Sequence, residues 1–235
     1  MPKKMAIKGT IIPTDYQRIY DAYNITATSP GMVETFLSEA NGEDVELEVN
    51  SPGGYVFAGF EIYNRLKMYP GKVTATIIGV AASAASLVIC AADTVRMSPV
   101  SQLMIHRAHS WTEGDANDMY KTADDLKKLD ESVANAYMIK TGMSHDEVIQ
   151  IMDVTTWLGA EEAKNRKFVD EILFQQEEQP AAAVDVTIMF TQSQISALRE
   201  ALQAKETVEK QQKTAALDLL RQKHNYLILK NGGTK

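Results

Sequence analysis

The sequence predicts an α/β fold with a largely parallel sheet, and three features carry that reading. Short β-rich stretches alternate with stretches of helical periodicity between residues 29 and 106, the pattern that right-handed βαβ units produce. Clusters rich in Gly, Pro and Asn punctuate the alternation, at Asn41-Gly42, Ser51-Pro52-Gly53-Gly54 and Tyr69-Pro70-Gly71. A long amphipathic segment over 115–140 then follows in place of a further strand.

Taken in order, Ser29-Pro30 is a helix start, with a serine cap and a proline in the first turn. Val33, Phe36, Leu37 and Ala40 give that helix one apolar face. Val45, Leu47 and Val49 alternate with Glu46, Glu48 and Asn50, as in a strand with one buried face. Ser51-Pro52-Gly53-Gly54 reads as the turn after it, and Phe57, Phe60, Ile62, Leu66 and Met68 as the next helix. Val73–Ala92 is then a run of 20 residues without a charge, long enough to span a bilayer. Its composition changes partway: Val73, Thr74, Thr76, Ile77 and Ile78 favour a strand, and the alanine-rich 81–92 favours a helix. The run therefore predicts a strand over 72–79 and a helix over 82–92, joined near Gly79, and no membrane segment.

Two short strands are expected at Thr94–Met97 and Gln102–His106. The helix over 115–140 carries Met119, Ala123, Leu126, Leu129, Val133 and Tyr137 on one face. At the rise of an α-helix it is about 40 Å long, suited to project and pack on a partner subunit. Ser144-His145-Asp146-Glu147 is a capping box for a helix to Met152. Trp157–Val169 reads as a further helix with Trp157 as a core anchor, and Glu171–Phe174 as a short strand.

Composition narrows the function classes. The 235 residues are 45% hydrophobic and 23% charged, enough to bury a sizeable core without a disulfide or metal. Cys90 is the one cysteine, so a reducing compartment is compatible. The four histidines, His106, His109, His145 and His224, lack HExxH spacing, and no CxxC occurs, so neither metal nor cofactor is expected. A net charge of −7, with the acidic surplus before residue 180, argues against a nucleic-acid binder. The opening MPKKMAIKGTIIPTDY has no long apolar core, so a cytoplasmic location is expected.

The chemistry-bearing residues fall at element ends, where α/β sheets place their sites. Gly53-Gly54 follows the first strand of the alternation, Ser83 the second, and His106 closes another. A serine at a strand-to-helix turn presents its hydroxyl beside free backbone N–H groups that can hold an oxyanion, and a histidine can take its proton. Each residue has a plain alternative: Ser83 as a cap, His106 as a hydrogen-bonded core histidine, SPGG as an ordinary turn. Their joint arrangement favours chemistry, because one sheet brings all three together.

The stretches VELEVNSPGGYVFAGFEIYNRLK, IIGVAASAASLVICAADTVRMSPVSQLMIH and WLGAEEAKNRKFVDEIL resemble the Clp protease proteolytic subunit family, serine peptidases of the ClpP/crotonase fold. The likeness runs over about Ile7–Phe174 and is nearer to the phage-encoded ClpP-like head maturation (prohead) proteases. It implies a ClpP/crotonase-type spiral of βαβ units with a projecting handle helix at about 115–140. It implies Ser83 as nucleophile, His106 as general base, Gly53 and the Ala84 N–H as oxyanion hole, and Gly54 with Tyr55 as the edge that receives a substrate strand. The family's acid falls at position 155, where this chain has Thr155, and Asp153 is the nearest substitute. A strand there would put 153 and 155 on one face.

The resemblance also implies a homo-oligomeric ring, a heptamer or tetradecamer, acting on protein or peptide substrates. No Walker A motif is present, so any energy-dependent unfolding would need a partner AAA+ unfoldase. In a phage-infected host the partners would be capsid, scaffold or portal proteins. Two other readings compete: a catalytically impaired ring serving assembly, which Thr155 and the tail favour, and a crotonase-type acyl-CoA enzyme, which the paired Ser and His oppose. The expected organisation is a peptidase domain over 1–175, a linker and short strand over 176–190, and a mostly helical, basic tail over 191–235.

Overall fold

The computed structural model describes residues 2–175. The expected linker and strand over 176–190 and the helical tail over 191–235 lie outside the described residues. The elements run β1 (Lys3–Ile11), a 3-10 turn (Thr14–Tyr16), α1 (Gln17–Ala22), β2 (Ala27–Thr28), α2 (Pro30–Ala40), β3 (Val45–Gly54) and α3 (Val56–Lys67). They continue with β4 (Val73–Ala82), α4 (Ala84–Ile89), β5 (Thr94–Met97), β6 (Gln102–Ile105) and α5 (Ala116–Thr141). The last four are α6 (His145–Asp153), β7 (Thr156–Leu158), α7 (Ala160–Asn165) and β8 (Glu171–Ile172).

The strands form one sheet in the order β2-β1-β3-β4-β5-β8, with β6 pairing β4 and β7 pairing β6. The pairings are parallel except β6 with β7. Strand β4 changes partner along its length: Thr74–Ile77 pair with β5, and Val80–Ala82 with β6. That change brings the end of β6, and with it His106, beside the end of β4.

Strand β3 is buried on one face through Val45, Leu47, Val49 and Ser51, as its alternation predicts. Helices α2, α3 and α4 cover the sheet with Val33, Leu37, Ile62, Leu66, Val88 and Ile89, all buried. Cys90 is buried in this layer, its thiol donates to the Ser86 carbonyl at 3.1 Å, and burial pushes its pKa up to about 12. Helix α5 packs by its second half, burying Val133, Ala134, Ala136 and Tyr137, whereas Met119 in its first half is 44% exposed. Among the described residues no helix is long and apolar enough to cross a membrane.

Four local expectations are corrected. Ser51-Pro52-Gly53-Gly54 is no turn: it continues β3, paired to β1 as Thr10↔Gly53 and Ile11↔Gly54 across a register shift. A proline is tolerated where the ladder is interrupted in this way. The uncharged run does not break at Gly79, because β4 continues to Ala82 and α4 begins only at Ala84. Trp157 lies in β7 rather than in a helix and is 54% exposed, so it anchors no core. The segment 153–155 is no strand either: α6 ends at Asp153, and Thr155 turns the chain with φ 49°.

Candidate active site

Ser83 sits between β4 and α4 with φ 54° and ψ −124°, a conformation that L-residues rarely adopt and that costs about 1–3 kcal/mol. Its backbone is held on both sides. The Ser83 N–H donates to Met104 O at 2.9 Å, and the Ser83 carbonyl accepts from Ser86 N at 2.9 Å and Leu87 N at 3.3 Å. Gly53 presses against the same junction: a Cβ there would lie 2.8 Å from Ser83 Cβ and 2.5 Å from Ala82 O, with φ already at +91°. Only glycine fits this approach.

Ser83 Oγ and His106 Nε2 lie 2.7 Å apart. His106 follows directly on β6, which β4 brings alongside, so two adjacent parallel strands aim both groups at one point. Burial and the neighbouring His109 hold the His106 pKa below the ordinary imidazole value, with Asp130 acting in the opposite direction. The His109 ring lies 4.9 Å from that of His106 at 57°. A half-buried imidazole that is neutral at neutral pH is a suitable proton acceptor. Ser86, the other serine of the stretch, is buried; its hydroxyl bonds Ser83 O at 2.6 Å and Tyr137 Oη at 2.7 Å, out of reach of His106.

The pair opens into a cavity of about 410 Å³, bordered by Gly54, Tyr55, Ala84 and His109 and floored by Leu87, Leu126, Leu129, Val133 and Tyr137. The floor is almost wholly apolar. The Ala84 N–H, at the first position of α4, has no acceptor within its own helix. The Gly53 N–H donates to Ser51 Oγ at 3.1 Å, and the residue is buried against Ser83. Gly54 is exposed and lines the cavity. Tyr55 borders the cavity as expected, with its N–H donating to Ile11 O at 2.9 Å.

Asp153 is not brought to His106. As the last residue of α6 it pairs with the Arg107 guanidinium, which holds its carboxyl below the ordinary aspartate range. Thr155 is exposed, and its N–H makes a long 3.4 Å bond to Met152 O. The β6–β7 ladder ends at Ile105↔Thr156, so one further step of the same register would set Thr155 opposite His106. Among the described residues, the His106 ring hydrogen-bonds only Ser83.

Sequence reasoning missed Asp130 and Arg107. Asp130 is only 3% exposed; its Oδ1 accepts from Ala108 N at 2.7 Å and its Oδ2 from Arg107 Nη1 at 2.9 Å. The signal was available: Asp130 lies on the inward face that Leu126, Val133 and Tyr137 define by three- and four-residue steps.

Fold and site together define a class, that of α/β proteins with a serine–histidine pair at the carboxyl ends of neighbouring parallel strands. The chain belongs to the Clp protease family, whose model, described as Clp protease, matches residues 26–176. The parallel-dominated sheet agrees with the ClpP fold. The chain is 34% identical over 134 residues to the ATP-dependent Clp protease proteolytic subunit of Bacteroides fragilis, covering 56% of this chain and 65% of that protein. To proteolytic subunit 1 of Chlamydia abortus it is 35% identical over 137 residues, covering 57% of this chain and 71% of the relative. The match thus spans a little under two thirds of the Bacteroides protein.

Proposed function

We propose that this chain is a serine endopeptidase that hydrolyses peptide bonds through an acyl-enzyme on Ser83. The observation that carries the reading is the 2.7 Å approach of Ser83 Oγ to His106 Nε2 at the mouth of an apolar cavity. The Ser83 hydroxyl donates to Nε2, so the proton moves to the imidazole as Oγ bonds the scissile carbonyl carbon. The carbonyl oxygen takes the negative charge and meets the Ala84 N–H, with the Gly53 backbone beside Ser83 as the second donor. The imidazolium then gives its proton to the departing amine as the C–N bond breaks. Water, deprotonated by His106, releases the acyl group and restores Ser83.

Gly54 and Tyr55, both exposed beside the cavity, suit a substrate lying as an added strand, and the apolar lining suits an apolar side chain next to the cleaved bond. Membership of the Clp protease family supports a homo-oligomeric ring, heptamer or tetradecamer, in the cytoplasm, and a Clp-type AAA+ ATPase as a partner. Within that reading, a phage-type role in head maturation, on capsid or scaffold proteins, is the narrower form. Its support is the sequence likeness alone, and incubation with purified capsid and scaffold proteins tests it.

The test of the chemistry is covalent labelling with a fluorophosphonate, combined with mass measurement of the assembly. Wild type is labelled once per chain and Ser83→Ala is not; equal labelling of both overturns the reading. The alternative, a catalytically impaired ring with an assembly role, is favoured by one observation, the lack of a carboxylate bonded to His106 among the described residues. Robust rings that neither label nor cleave peptides would establish it.

A further inference from the structure

Asp130 is a charged group where α5 is otherwise apolar. Burying a carboxylate costs several kcal/mol unless it is paired and hydrogen-bonded. Here both oxygens are engaged, and both partners belong to the two residues that follow His106: the Arg107 guanidinium and the Ala108 N–H. The other edge of the guanidinium meets Asp153 at the end of α6. Two helices, α5 and α6, therefore converge on the segment that follows His106, and the cluster holds two carboxylates to one cation.

We infer that Asp130 is a positioning residue for His106: it fixes the 106–108 turn and supplies, from the handle side, the negative field that a carboxylate at position 155 would otherwise provide. The inference rests on the reading of Ser83 and His106 as a peptidase pair. Asp130 does not bond the imidazole; it acts through the backbone at Ala108 and through space. The charged or titratable groups facing His106 are few. Ser83 lies on its Nε2 edge, His109 sits tilted against the ring and opposes an imidazolium, and Asp130 favours one. Arg107 and Asp153 complete the cluster behind it. Thr155, the next residue across the ladder, contributes no charge.

Two consequences follow, with opposite signs in two variants. Neutralising Asp130 removes the carboxylate that favours an imidazolium and leaves His109 opposing one, so the His106 pKa falls further and it becomes a weaker base. Neutralising Arg107 removes the cation and leaves the carboxylates, so the pKa of His106 rises. A purely structural role would slow the reaction without moving the titration.

The experiment is the pH dependence of the fluorophosphonate labelling rate, on the full chain, for wild type, Ser83→Ala, Asp130→Asn, Asp130→Glu and Arg107→Gln. The expected plateau for Asp130→Asn is lower by about 10- to 100-fold, as for loss of a group that orients another, with the acid limb displaced to lower pH. Asp130→Glu recovers part of the rate and the wild-type limb. Arg107→Gln moves the limb to higher pH, and stands as the independent test if Asp130→Asn does not fold. An unmoved limb in the folded variants overturns the inference, whatever the plateau. Failure of the peptidase reading is distinct: wild type is then unlabelled, or Ser83→Ala is labelled equally, and the inference falls with it.

Discussion

Two hydroxyl-bearing residues flank His106, and both hold left-handed backbone: Ser83 at φ 54° and Thr155 at φ 49°. The first is fixed from every side, by Met104 O, by the opening turn of α4 and by the Gly53 backbone. The second is exposed and tied by a single long bond to Met152 O. A strained residue persists at a working site because its surroundings over-determine it, and Ser83 meets that condition. Thr155 marks only a chain reversal between α6 and β7. The difference shows where the site is rigid, on its nucleophile side, and where it is permissive.

The largest effect expected is chemical. Ser83→Ala lowers peptide hydrolysis by about 10³-fold or more while leaving the melting temperature within a few degrees; a mutant that still cleaves would remove Ser83 from the comparison. Next is Gly53→Ala, whose Cβ would run into Ala82 O and Ser83 Cβ at a positive φ. It is expected to destabilise by about 2–4 kcal/mol and to slow labelling at least tenfold, read by melting and by probe kinetics. Thr155→Asp restores a carboxylate one step beyond the Ile105↔Thr156 pair. It should raise the labelling rate about 3- to 10-fold and move the acid limb up in pH; an unchanged rate and limb would mean that position 155 faces solvent alone.

In wild type the limb itself is expected below pH 6.5, the ordinary histidine value, because burial and His109 lower the His106 pKa. The sign is direct: the neutral ring is the base, so the rate holds above that pKa and falls as pH drops through it. The smallest effect belongs to Asp153→Asn. Its pair with Arg107 is half exposed, so about 0–1 kcal/mol of stability is at stake, and labelling should stay within about twofold.

Much of this was legible in the sequence where periodicity is strong. The alternation of Val45, Leu47 and Val49 and the helical faces after Ser29 and Tyr55 predicted their elements because local pattern and burial agree there. Strand β1 was missed: its lysines and its two fully buried positions, Ile7 and Ile11, leave a faint pattern. Ser51-Pro52-Gly53-Gly54 misled because its residues are breakers by local preference, yet β1 and β4 supply partners that keep it extended. Within the site, Ser83 and His106 were legible from their places at strand ends together with the resemblance. Which glycine faces the cavity was not, since neighbouring strand residues point to opposite sides and one register step exchanges them. Asp130 was missed although its spacing from Leu126 and Val133 marks the inward face, because a charge on a long helix reads by default as solvated until the packing of α5 against 106–108 is seen.

The buried thiol of Cys90 has an experimental consequence. It is the single sulfhydryl of the chain, buried at the C-terminal end of the helix whose N-terminus carries Ser83, and its pKa is pushed up to about 12. In the closed fold a maleimide finds no thiolate to attack, so alkylation must wait until α4 separates from the sheet. The rate of that reaction is therefore a clock for the lifting of α4, the helix that Ser83 begins. Serine-directed and thiol-directed probes can be read in the same tube, one timing catalysis and the other timing the breathing of the scaffold that holds it.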